Sequence, residues 1–232
     1  MKRIIIITGS NRGLGKATGL KLCELGHEVI FTSRKLESLT SIKKEVEEKK
    51  FNASFYELDV CNLDSIKSLK TEILKKYDHI DTLINNAGIL NDRNDSILNL
   101  NSKLLHDTMN TNLFSPLNMI QQFSDLIKKS SNGVIVNISS VLGQLDSMAT
   151  GMPSYRISKC AINAVTKVVS EELKENNIKV NSVHPGWVQT DMGGSAASLK
   201  IEESVPGLVW AATLDQSGPT GKFFFNKKEI PW

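Results

Sequence analysis

The chain has 232 residues, of which 40% are hydrophobic and 23% charged, with a net charge of +3. That suits one α/β domain, and so slight a charge excludes a nucleic-acid-binding protein built on basic patches. The longest early apolar run, Ile4-Ile5-Ile6-Ile7, is far too short to cross a membrane or direct secretion.

Residues 3–8 form a β-branched run stopped by Gly9, the mark of a buried parallel strand. Residues 13–25 have helical spacing and end at Gly26. A second strand follows at 28–32, then an amphipathic helix at 36–49. On that helix Lys43, Lys44 and Lys49 alternate with Glu45, Glu47 and Glu48, as on a solvated face. A third strand is expected at 55–58, a helix at 66–76 and a fourth strand at 82–84. A long helix is expected at 104–127, kinked or broken at Pro116. The fifth strand spans 134–138. A long helical pattern then opens at Tyr155 and runs through Ala161, Val165, Val168 and Leu173. Strand 180–183, a short helix near 209–212 and an apolar strand at 223–225 complete the chain. Strict alternation of strand and helix predicts a doubly wound parallel sheet in a single domain over residues 1–232. The cysteines Cys23, Cys61 and Cys160 have no Cys-x-x-Cys spacing, and the four histidines are scattered. The expectation is a reduced, cytoplasmic protein with no metal site.

Three glycines, Gly9, Gly13 and Gly15, lie between the first strand and the first helix, with Asn11, Arg12 and Leu14 among them. Glycine permits positive φ and close approach of backbone to ligand, and a helix N-terminus offers free amides to a pyrophosphate. A dinucleotide is therefore expected here. A phosphate-binding loop of the NTPase kind is excluded, because Lys16 is followed by Ala17 rather than Ser or Thr. The other strand ends carry Asp59 and Val60; Asn86, Ala87 and Gly88; Ser139 and Ser140; and Pro185 and Gly186. In such a sheet these share one edge with the glycine turn, the edge where ligands bind.

Tyr155 and Lys159 stand four residues apart, on one helical face. A free Tyr, with a pKa of about 10, is a poor acid or base near neutrality. A nearby ammonium favours the phenolate and is expected to lower that value, giving a proton donor usable at working pH.

The glycine turn, Asn85-Asn86-Ala87-Gly88, Asn112, Ser140, Tyr155-x-x-x-Lys159 and Pro185-Gly186 with Thr190 occur in an order that resembles the short-chain dehydrogenase/reductase family. The tail, with Pro219-Thr220-Gly221-Lys222-Phe223, is similar to the carbonyl-reductase-like subgroup. The resemblance implies a Rossmann-type fold and NADPH-dependent reduction of an aldehyde or ketone. It implies that Tyr155 protonates the carbonyl oxygen, that Lys159 lowers the Tyr pKa and holds the nicotinamide ribose, and that Ser140 orients the carbonyl. Asn112 is then the support for a proton-relaying water. Cofactor contacts are implied for Val188 and Thr190 as well as the strand-end residues above. In this fold an acid at the end of the second strand selects NAD, and an Arg nearby accepts the 2′-phosphate of NADP. Here Ser33 holds the acidic position and Arg34 follows it, with Arg12 in reach of the same phosphate. Leu90, Leu142, Met148, Met152, Trp187 and Met192 suggest an apolar substrate body. Only residues 144–154 separate Gly143 from Tyr155, where monomeric animal carbonyl reductases carry a long insertion. An uncovered catalytic helix, and hence a homodimer with a tetramer as alternative, is expected. The competing reading is a non-catalytic NADP(H)-sensing or scaffold protein on the same fold.

Overall fold

The computed structural model describes residues 2–232. At its centre lies β1 (Ile4–Ile7), paired in parallel with β2 (Glu28–Ser33) on one side and β4 (Thr82–Asn85) on the other. Beyond β2 lies β3 (Ala53–Glu57), and beyond β4 come β5 (Val134–Ile138), β6 (Lys179–His184) and β7 (Phe223–Phe225), all parallel. The two-residue β8 (Lys228–Glu229) closes the edge antiparallel to β7, giving the order β3-β2-β1-β4-β5-β6-β7-β8. This is the expected doubly wound sheet.

Successive side chains of a strand point to opposite faces, so an all-isoleucine strand serves two cores at once. Ile5 and Ile7 pack with Leu22 of α1 (Gly13–Glu24), Ile42 and Val46 of α2 (Thr40–Glu48) and Leu208 of α7 (Ile201–Ala212). Ile6 packs on the opposite face with Ile66 of α3 (Leu63–Leu74), Phe123 of α5 (Ser115–Ile127) and Val169 of α6 (Pro153–Glu172).

Several boundaries differ from expectation, the helix at 66–76 among them, which is Leu63–Leu74. The segment at 36–49 begins as one tight turn, Leu36–Leu39, before α2. The third strand is Ala53–Glu57, set by pairing with β2 rather than by its own apolar run. The long helix at 104–127 is α4 (Ser102–Met109), a single π-turn (Asn110–Phe114) and α5. Pro116 has no N–H and its ring would crowd the carbonyl four residues back, at Asn112. The ladder therefore slips by one, with the Ser115 amide bonded to Asn110 O, and Pro116 enters the first turn of α5, where proline is tolerated. Finally, α7 starts at Ile201, well before the short helix expected near 209–212, and takes Pro206 inside it. Its start is secured by the Glu203 carboxylate, which accepts the Lys200 amide at 2.7 Å.

At the opposite edge of the sheet, Glu28 is nearly buried. Burial alone would raise its pKa, but hydrogen bonds from Tyr77 (2.6 Å), Lys76 (3.0 Å) and Lys2 (3.0 Å) overturn that and bring it down to about 2. A carboxyl depressed in the folded state stabilises above its unfolded value, and that contribution disappears as pH falls toward the folded one. Thermal melts between pH 7 and pH 3 are expected to show wild type losing stability on acidification below about 4.5. Glu28→Gln should be less stable at pH 7 and should lose less on acidification. Parallel pH curves for the two proteins would contradict the assignment.

Candidate active site

The strand order reverses between β1 and β4, and the two loops leaving that point are clasped together. The Thr8 hydroxyl oxygen accepts the amides of Asn86 and Ala87, both at 3.0 Å, and the Asn86 side chain donates to the carbonyls of Thr8 and Gly9, both at 2.9 Å. Gly9 has φ +61°, and a methyl there would meet Ala87 Cα at 3.1 Å. The loops thus leave no room for a side chain between them. Behind the turn, α1 starts with no side-chain cap from Arg12 and no acid in its first turn. Its free amides and positive dipole end fit an anion such as a pyrophosphate. Thr190 forms the opposite wall, 3.6 Å from where a methyl at Gly13 would stand. Val188 is buried beneath it, and Pro185 O accepts the Ser204 hydroxyl at 2.7 Å. Along the same edge, Ser33 is buried at the end of β2, its hydroxyl 2.7 Å from that of Ser38, while Arg34 beside it is exposed and makes no ion pair among the described residues. Asp59 accepts the Cys61 amide at 3.0 Å, and Val60 is buried. Arg12 turns toward the Thr190 wall and pairs with Asp191.

The four candidate catalytic residues converge on this edge from three elements. Tyr155 and Lys159 lie on the buried face of α6. Lys159 Nζ sits 5.5 Å from the Tyr155 ring centre and donates to Ile138 O, the last carbonyl of β5, at 2.7 Å. Ser140 follows β5 and holds the Leu142 amide at 3.1 Å, whereas the Ser139 hydroxyl is committed to Lys159 O at 3.3 Å. The turn after Ser140 touches the α6 backbone. A methyl at Gly143 would come within 2.5 Å of the Lys159 carbonyl carbon, so only glycine allows this approach. Asn112 is presented by the π-turn, fully buried. Its side chain bonds Ile89 N (2.8 Å), Ile89 O (2.9 Å) and Ser158 Oγ (3.1 Å). Those bonds use both its donors, and with Pro116 four residues on, its own carbonyl has no helical amide at the usual position to accept from.

Desolvation dominates the electrostatics. Burial drives the Tyr155 pKa up to about 12, opposed by the Ser140 hydroxyl and the charge of Arg93. Burial likewise brings Lys159 down to about 8. The tyrosine therefore lies above its ordinary value, not below it as the spacing suggested; removal from water outweighs the Ser140 hydrogen bond and the attraction of Arg93.

Two participants, Arg93 and Asp92, are not among the residues expected from the sequence. Arg93 reaches across the cleft to donate to Met192 O. Asp92 is fully buried against the start of α6. A hint of it exists, for α6 opens at Pro153 with no Ser, Thr, Asp or Asn before it, so its cap must come from elsewhere. Of the apolar candidates, Trp187 and Met192 are exposed on the segment after β6, with the indole N–H donating to Gly193 O at 2.9 Å. Met148 is also exposed, Leu90 and Leu142 are half-buried, and Met152 takes a left-handed conformation, φ +54°, just before α6.

Residues 3–200 match the model of the family described as short chain dehydrogenase. A 3-oxoacyl-(acyl-carrier-protein) reductase of Thermotoga maritima is 35% identical over 82% of this chain and 76% of its own. The NADPH-bound carbonyl reductase from chicken fatty liver superposes with a TM-score of 0.89 at 30% identity, over 100% of this chain and 99% of that one. The carbonyl reductase Sniffer of D. melanogaster superposes at 0.90 with 32% identity, covering both chains completely.

The desolvated ammonium can be tested directly. Isotope-labelled lysine NMR across pH 6–11 is expected to show one lysine titrating near 8, absent from Lys159→Met. If every lysine titrates near its ordinary value, the site is wetter than its geometry indicates.

Proposed function

Since the chain belongs to the short-chain dehydrogenase family, we propose that it reduces an aldehyde or ketone carbonyl carried on an apolar body, taking NADPH as cofactor, within one domain spanning residues 1–232. It is an NADP-dependent oxidoreductase of the carbonyl-reductase-like kind. The observation that carries the specific reading is the buried Tyr155, held protonated well past neutrality beside Ser140 and Lys159. A tyrosine held as the acid carries the proton that carbonyl reduction consumes.

Bound along the carboxyl edge, NADPH would supply the hydride. The α1 amides and the turn at Gly9, Asn11, Gly13, Leu14 and Gly15 would hold its pyrophosphate. Asp59, Val60, Ala87 and Gly88 would border the adenosine half, and Gly186, Val188 and Thr190 the nicotinamide half. The chain's own residues then do the proton chemistry. Tyr155 donates to the carbonyl oxygen, and Ser140 hydrogen-bonds that oxygen and orients it. Lys159, cationic below about pH 8, favours the phenolate as the proton leaves and offers its remaining donors to a ribose. The Asn112 backbone carbonyl, left without its helical amide, is the group that would support a relaying water. A sensor or scaffold has no use for this complete set.

Arg34 is read as the 2′-phosphate ligand, supported by the absence of any acid at Ser33. Arg12 is a second candidate once released from Asp191. Cytoplasmic location is supported only by composition; no helix among the described residues is long and apolar enough to cross a membrane. A homodimer is supported by the apolar side chains left exposed on neighbouring elements, Phe114 of the π-turn and Ile157 and Val168 of α6. Light scattering at micromolar concentration should give a mass well above 25.6 kDa.

Two substitutions test the chemistry. Tyr155→Phe is expected to cut turnover by about 10²–10⁴-fold, the usual range for a general acid, with NADPH binding kept. Near-normal reduction of aromatic aldehydes, quinones or diketones by that variant would sink the proton-donor reading. Arg34→Ala loses a charged hydrogen bond worth about 1.5–3 kcal/mol. It should weaken NADPH binding roughly 10- to 150-fold and leave NADH nearly unchanged, while Ser33→Asp shifts the ratio of efficiencies toward NADH. Equal losses for both cofactors in Arg34→Ala would remove Arg34 from the site.

A further inference from the structure

The helix that carries Tyr155 and Lys159 cannot cap itself. Its N-cap residue, Met152, has no side-chain acceptor and sits in the left-handed region, with φ +54° and ψ +45°. Its first residue, Pro153, has no N–H. The next two amides, Ser154 and Tyr155, are the pair that an N-cap side chain ordinarily accepts. Both are instead taken by one carboxylate oxygen from far back in the chain. Asp92 Oδ2 lies 2.5 Å from Ser154 N and 3.3 Å from Tyr155 N. Asp92 is completely buried and has no ion-pair partner among the described residues, and its other oxygen, Oδ1, is buried with no protein partner. Its carboxyl group therefore faces the positive end of a 20-residue helix.

The segment bearing Asp92 is tied to the glycine turn, to Asn112 and to the start of α6. Asn86 joins it to the glycine turn, and Ile89 joins it to the Asn112 side chain through both its amide and its carbonyl. Asp92 adds a third attaching residue, bonded to the backbone amide of the tyrosine itself. We propose that Asp92 is a positioning residue for the proton donor. By capping α6 through the Tyr155 amide, it sets that ring at the distance from the cofactor cleft and from Ser140 that proton transfer requires. The inference rests on the reading of Tyr155 as proton donor. A mere stabilising cap would affect how much protein folds. A positioning cap affects the proton step in protein that is folded and binds cofactor.

The test uses the full-length chain with NADPH and an aromatic aldehyde such as 4-nitrobenzaldehyde. Turnover is expressed per NADPH-binding site, counted by fluorescence titration. Asp92→Ala is expected to lower kcat about 10- to 100-fold, the scale of an ångström of misplacement. It should leave NADPH affinity within about threefold, and raise the D2O solvent isotope effect on kcat, because the proton step becomes slower. Asp92→Asn keeps one acceptor oxygen, and its loss should be smaller, about two- to fivefold by the same scale, again with a raised isotope effect. It carries the test alone if Asp92→Ala does not fold. In the Tyr155→Phe background, Asp92→Ala should cost almost nothing further, since the donor it positions is gone. Unchanged kcat per site in a folded variant, a loss shared equally by kcat and affinity, or a multiplicative double variant would each overturn the inference. Wild-type turnover in Tyr155→Phe alone would instead sink the proton-donor reading on which it stands.

Discussion

The chemistry depends on how closely α6 can lie against the end of β5. Lys159 must reach Ile138 O at 2.7 Å, and Ser139 must reach back to Lys159 O. The turn at Gly143 must then slide past the helix backbone with no side chain between them. Beneath these contacts a buried polar chain holds the layers in register. Asn85 donates to Asn137 (2.8 Å), Asn137 to Thr166 of α6 (2.9 Å), and the Thr166 hydroxyl meets that of Ser182 on β6 at 2.8 Å. Apolar packing could place the helix over the sheet in several nearby ways. A chain of directional bonds in a dry core tolerates few, since each unmade bond leaves a costly buried group. Specific polar contacts thus set the position of the reacting side chains, and the hydrophobic effect supplies the pressure that keeps them there.

That closeness also explains the titration of the site. Two groups that would need charge for part of the proposed cycle are both removed from water, and burial pushes each toward its neutral form. For Tyr155 the neutral form is the acid. For Lys159 neutrality would be a loss, and its bond to Ile138 O supplies some of the stabilisation that water no longer does. The pair is therefore less a Coulombic couple than two desolvated groups sharing a cleft.

Most of the sheet and the strand-end residues were legible in the sequence, because glycine turns and runs of β-branched residues act locally. The same holds for Tyr155 and Lys159, whose spacing alone puts them on one face. What could not be read was non-local. The start of the third strand is decided by its partner, β2. The early start of α7 runs through Pro206, against local propensity. At Pro116 the sequence marked a break, but only the folded chain shows it one turn earlier, as a slipped ladder that presents Asn112. Asp92 lay furthest from view, for its partners are 62 and 63 residues away. The expected fall in the Tyr155 pKa failed for a related reason. Spacing reports which charges are neighbours and says nothing of how much water has been excluded.

The ion pair between Arg12 and Asp191 gives the cleft a dependence on ionic strength with two opposing parts. Both partners are largely exposed, so the pair is weak and added salt loosens it, removing one tie between the segment after β6 and the glycine turn. The same salt screens the attraction of an incoming phosphate to Arg34. With Arg34 read as the 2′-phosphate ligand, salt thus bears on nucleotide capture through two opposing contacts rather than one.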